Sequence, residues 1–124
     1  MKVSQKEFDK IVKRSFRRIP RELRQYLENI LIAVQRRPSR ALLQEMGLFP
    51  HKTLLGLYRG VSLEKRSITA PPLYPDTIFL FQEPLEKMCD TIEEMEQQIE
   101  KTVVHEIAHY FGISEERLAE LGYG

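Results

Sequence analysis

The run His105-Glu106-Ile107-Ala108-His109 is followed by Tyr110-Phe111-Gly112 and then by Ser114-Glu115-Glu116. On a helix, two histidines four residues apart project about 40° apart around the axis and one turn apart along it, so both imidazoles can share a metal ion. Glu106 lies beside the first histidine. A carboxylate in that position can take a proton from a metal-activated water without being a ligand itself. The chemistry is that of hydrolytic zinc, with His105 and His109 as metal ligands and Glu106 as the general base.

A catalytic zinc ion usually has three protein ligands. A straight helix would carry Glu115 about 9 Å past His109 along the axis, out of reach. Gly112 removes that difficulty: a glycine can take positive φ, end the helix and turn the chain back, so that Glu115 or Glu116 approaches the metal from the side. Glu115 is the favoured third ligand and Glu116 the alternative. A competing role needs no metal. Ser114 reads as the N-cap of a short final helix, and acidic residues in a first turn are favoured by the helix dipole alone. His51, after Pro50, reads as an ordinary loop residue, and the lone Cys89 as a small buried or helix-edge residue.

These side chains need elements to hold them. Thr91 and Glu94 form a capping box, and Ile92, Met95, Ile99, Val103 and Ile107 recur at helical spacing until Gly112, which predicts a helix over Ile92 to Phe111 with the two histidines in its last turns. Ser4 and Glu7 open an earlier helix over Gln5 to Arg18, whose basic outer face is interleaved with Glu7 and Asp9 and reads as a solvated face. Pro20 suits the first turn of a short second helix. Ile30 to Val34 reads as a buried strand, Ser39 to Met46 as a short helix stopped by Gly47, Thr53 to Tyr58 as a second strand, and Thr77 to Phe81 as a third, ended by Pro84. Gly56 inside the second strand hints at a bulge or a close backbone approach. Arg59 to Asp76, with Gly60, Pro71, Pro72 and Pro75, is a long connection that suggests a substrate rim, with Tyr58, Arg59 and Tyr74 at its edges.

The whole chain of 124 residues is expected to form one domain, too small for a two-lobed peptidase with a cleft between lobes. A net charge of +1 gives no general attraction to nucleic acid or to acidic membranes. No stretch approaches a membrane span, no apolar leader opens the chain, and a single cysteine suits a reducing compartment, so a cytoplasmic protein is expected.

The chain resembles the small bacterial zincin-like metallopeptidases sometimes called mini-zincins. The likeness runs from the strand at Asn29 to Val34, through Leu54-Leu55-Gly56-Leu57-Tyr58-Arg59-Gly60, to the specific stretch from His105 to Leu118. It implies a compact α+β, zincin-like single domain, with a small sheet of about three strands packed against helices and the active-site helix near the C-terminus. It also implies zinc on His105 and His109, with an acidic third ligand at the position of Glu115. Many members have Asp there, and Glu sets the carboxylate one methylene further out. The frame is similar to that of metzincins, yet no Met follows Gly112 in this sequence, so no Met-turn is expected. The implied activity is hydrolysis of peptide bonds in a peptide or protein substrate, with neither nucleic acid nor membrane as partner. Two alternatives remain open. Metal-dependent endoribonucleases of rRNA maturation have a related frame with His as third ligand, against which Glu106, Glu115 and the near-neutral charge weigh. A catalytically idle interaction module with the same fold is the other. The sequence carries no signal of oligomeric state.

Overall fold

A computed structural model describes residues 1–60 and 76–124. Helix α1 (Gln5–Arg18) starts where the Ser4 side chain accepts the Glu7 amide, and it buries Phe8, Ile11 and Val12. Helix α2 (Arg21–Arg24) follows, with Pro20 as its N-cap rather than inside its first turn, and runs into a single 3-10 turn at Gln25–Leu27. Strand β1 (Ile30–Gln35), helix α3 (Arg40–Glu45), strand β2 (Gly56–Arg59) and strand β3 (Asp76–Phe81) come next. Helices α4 (Gln82–Met88), α5 (Ile92–Phe111) and α6 (Glu115–Glu120) complete the chain.

The strands form a sheet of order β1-β3-β2. β1 runs parallel to β3, pairing Ile30 with Asp76 through Gln35 with Phe81, and β2 runs antiparallel to β3, pairing Gly56 with Leu80 through Arg59 with Thr77. The architecture is the expected α+β, with α1 and α5 packed on each other and α5 also packed on β2. Ile78 and Leu80 of β3 meet Ile11 of α1 and Met95, Ile99, Val103 and Ile107 of α5 in a fully buried core. That apolar contact anchors the last turns of α5, where the two histidines sit.

β1, read from its apolar run as a buried strand, is instead an edge of the sheet with none of its residues fully buried and Leu31 53% exposed. Two further elements differ from expectation. The second strand begins later than Thr53, at Gly56, although Leu55 still accepts the Phe81 amide at 3.0 Å. Gly56 is there for close approach: a Cβ on it would lie 2.8 Å from Cγ2 of Thr102 on α5 and 3.0 Å from the Phe79 carbonyl oxygen. The other difference is α4, which stands where the sequence marks Pro84 only as a strand terminator. Pro84 is the third residue of that helix, where the backbone amide has no partner within the helix, so the missing N–H costs nothing. Among the described residues no helix is long and apolar enough to cross a membrane. The suggested substrate rim, including Tyr74, lies almost wholly outside the described residues.

Candidate metal centre

Both histidines and the glutamate between them stand on α5, as the spacing requires. Nδ1 of His105 lies 2.8 Å from the Lys101 carbonyl oxygen. A carbonyl only accepts, so Nδ1 carries the proton and the lone pair is left on Nε2, the atom that would ligate a metal. A backbone carbonyl behind a ligating imidazole fixes both tautomer and ring orientation. His109, one turn further on, is exposed to solvent.

Glu106 is half-buried, and its Oε2 accepts the backbone amide of Tyr58 at 3.1 Å. This bond joins α5 to the edge strand β2. Tyr58 itself is buried; its hydroxyl donates to Asp76 at 2.8 Å and its ring stacks on Tyr110 with centroids 3.9 Å apart. Phe111 meets the edge of Tyr110 and packs against Tyr26, extending the aromatic group to the 3-10 turn. The sequence marks Tyr58 only as the end of a strand and the edge of the long connection. Its amide bond to Glu106 depends on sheet register, which spacing along one segment does not reveal.

Gly112 adopts φ +70°, and its amide and that of Ile113 both return to the Ala108 carbonyl. The chain turns as expected, and Ser114 caps α6 by accepting the Arg117 amide at 3.1 Å. Glu115 and Glu116 fall in the first turn of α6 and are exposed. Among the described residues no three His, Cys, Asp or Glu side chains converge into a group that could hold a metal. The structure thus places His105 and His109 a turn apart on one helix, with Glu106 between them, and leaves Glu115 and Glu116 outside any three-donor group. The donor chemistry nonetheless fits zinc: one imidazole is held with its Nε2 lone pair free, a second is open to solvent, and both candidate carboxylates are unrestrained by ion pairs among the described residues. His51 is exposed in the turn after Pro50, and Cys89 is buried at the end of α4, where burial first and the charge of Glu94 second raise its thiol pKa.

Comparison with known proteins places this geometry in a family. The profile of the zincin-like metallopeptidase family matches residues 27–124, and the chain belongs to that family. The solved structure of a conserved hypothetical protein from "Thermo thermophilus" shares the fold, with a TM-score of 0.58 and 17% identity over 94% of this chain and 98% of that one. No curated protein matches the chain.

Proposed function

We propose that the protein is a zinc-dependent metallopeptidase of the cytoplasm, acting on a peptide or protein substrate, with metal held by His105, His109 and Glu115. The observation that carries this reading is the bond from His105 Nδ1 to the Lys101 carbonyl, which prepares Nε2 as a ligand beside a glutamate fixed on the edge strand. Zinc held there supplies Lewis acidity, lowering the pKa of water toward ~7 and polarising a carbonyl. Glu106 takes the proton of the attacking water and passes it to the leaving amine. Its contact with Tyr58 keeps one carboxylate oxygen oriented while the other stays available. Glu115 sits on α6, just past the Gly112 turn, where rotation of an unrestrained side chain supplies the third donor as metal binds.

Membership of the zincin-like family and the near-neutral charge favour peptide over RNA as the substrate. A second reading, a catalytically idle module, rests on the absence of a converged three-donor group among the described residues. Metal analysis separates the two. Protein purified without tags or chelators is expected to carry near-stoichiometric zinc, lost in His109→Ala and retained in Glu106→Gln, with only the wild type cleaving a peptide library. Absence of zinc after reconstitution supports the idle module, and hydrolysis by Glu106→Gln contradicts the assigned base.

A further inference from the structure

Glu106 and Tyr110 stand one turn apart on α5, so both leave the helix on one flank, beside the flank that carries His105 and His109. That flank meets β2, which among the described residues pairs with a strand on one side only. Helix and strand touch there at two points. Glu106 accepts the outward-pointing amide of Tyr58 at 3.1 Å. One turn on, the Tyr110 ring lies within 18° of parallel to the Tyr58 ring, with centroids 3.9 Å apart, and Phe111 meets both rings edge-on. The chain carries no side chain where the Tyr110 ring passes the end of β2. A Cβ on Gly60 would lie 2.7 Å from both Cε2 and Cζ of Tyr110, and closer still to its hydroxyl oxygen. Gly60 does not have positive φ, so a close approach, not a backbone conformation, is what calls for glycine there. Core filling does not account for the ring either: Tyr110 is 47% exposed, whereas Tyr58 beneath it is 8% exposed.

We propose that Tyr110 is a positioning residue for the base: its ring clamps the end of β2 against α5 and so holds the Tyr58 amide where it fixes one oxygen of Glu106. The ring and the amide that α5 grips belong to the same residue of β2, so the stack on one sets the place of the other. β2 is four residues long and its last pair is Arg59 with Thr77, and the end of a short edge strand is the part that opens most readily. Without the Tyr110 ring the Tyr58 amide is no longer held at one place, and the carboxylate it orients moves with it. Misplacing a reacting group by about 1 Å can cost about a hundredfold in rate. Gly60 is the other half of the clamp, because it leaves the ring room to lie flat on Tyr58. The bearing on catalysis rests on Glu106 being the base of a peptidase; the clamp itself does not, and the two are measured apart.

Amide hydrogen exchange on the metal-free protein reads the clamp. Alternation along β2 turns the Leu57 amide toward β3 and the Tyr58 amide toward Glu106, so the first reports the sheet and the second the clamp. In Tyr110→Ala the Tyr58 amide is expected to exchange about tenfold faster, as in Glu106→Ala, while Leu57 is unchanged. Tyr110→Phe keeps the stacked ring and should leave both amides as in the wild type. Gly60→Ala should quicken Tyr58 by pushing the ring away, and should add nothing in a Tyr110→Ala background, where no ring remains to be pushed. In the zinc-loaded protein, Tyr110→Ala should lower kcat on a library peptide by about tenfold or more, with zinc content and KM near those of the wild type, and Tyr110→Phe should restore it. A Tyr58 amide as slow in Tyr110→Ala as in the wild type, or one that quickens only together with Leu57, overturns the clamp. A loss carried by KM alone makes Tyr110 a substrate contact and overturns the positioning role. A wild type that binds zinc but cleaves no peptide defeats the peptidase reading instead, while the exchange rates still decide the clamp.

Discussion

Glu106 does two jobs with one carboxylate. In the proposed reaction it moves a proton, and in the resting fold it satisfies the amide of Tyr58 on an edge strand. The two roles respond differently to substitution. Gln keeps an acceptor oxygen where the amide needs one but cannot serve as a base, whereas Ala leaves a partly buried N–H without its partner, at a cost of about 1–3 kcal/mol. Glu106→Gln is therefore expected to melt close to the wild type in the absence of metal, and Glu106→Ala measurably lower. Denaturant titration of the three metal-free proteins checks this, and equal stabilities would show that the contact contributes nothing. His105 is similarly twofold in its contacts: its Nδ1–H is spent on Lys101, so its remaining nitrogen is the one available to a ligand.

The long elements are legible in the sequence because their signals are local. The capping boxes at Ser4 and Thr91, the apolar recurrence through Ile107 and the stop at Gly112 all lie within one segment, and α1 and α5 have the expected bounds. The start of the second strand is not legible, because Leu54 and Leu55 look as strand-like as Leu57 and only the register against β3 decides where the ladder begins. α4 escapes a sequence reading because proline signals both a strand's end and a helix's beginning, and Pro84 does both. At the site, spacing puts His105, Glu106 and His109 on one helix, but it cannot reveal the Tyr58 partner, which comes from 48 residues upstream. The turn at Gly112 carries a prediction at this scale. A Cβ there would meet nothing within 4 Å, so Gly112→Ala is opposed by backbone strain alone, about 1–2 kcal/mol. Chemical denaturation should show that loss. If α6 supplies the third ligand, the same variant should also hold zinc less tightly, because relief of the strain redirects the chain toward Glu115.

Across the whole molecule, the first helix and the C-terminal segment are both fastened to α5. Arg18, the last residue of α1, donates to Glu100 at 2.7 Å and reaches Glu96 at 3.6 Å, while Arg14 contacts Glu96 at 3.3 Å. The C-terminal segment returns so that the Tyr123 hydroxyl donates to Glu100 at 2.5 Å. Glu100 thus joins α1, α5 and the C-terminal segment, about one turn before the histidines begin. Arg18 is held above its ordinary pKa chiefly by its bond to Glu100, so it stays charged throughout the working range. Burial first, and then the bond to Glu100, raise the pKa of Tyr123 well above the tyrosine range. The folded state therefore retains a proton that the unfolded chain gives up at about pH 10. Stability from this group is fully present below that pH and declines as the pH rises beyond it, since the unfolded state then binds fewer protons than the folded one. Tyr123→Phe should lower stability at neutral pH by about 1–2 kcal/mol through loss of the bond to a charged acceptor, and it should also flatten the alkaline fall. Denaturation of the wild type and variant between neutral pH and about pH 11 reads both effects as a difference that cancels the other tyrosines and the lysines. A difference that stays constant across that range would show that Tyr123 ionises as freely in the fold as in the unfolded chain, and that the tail is not clamped on Glu100.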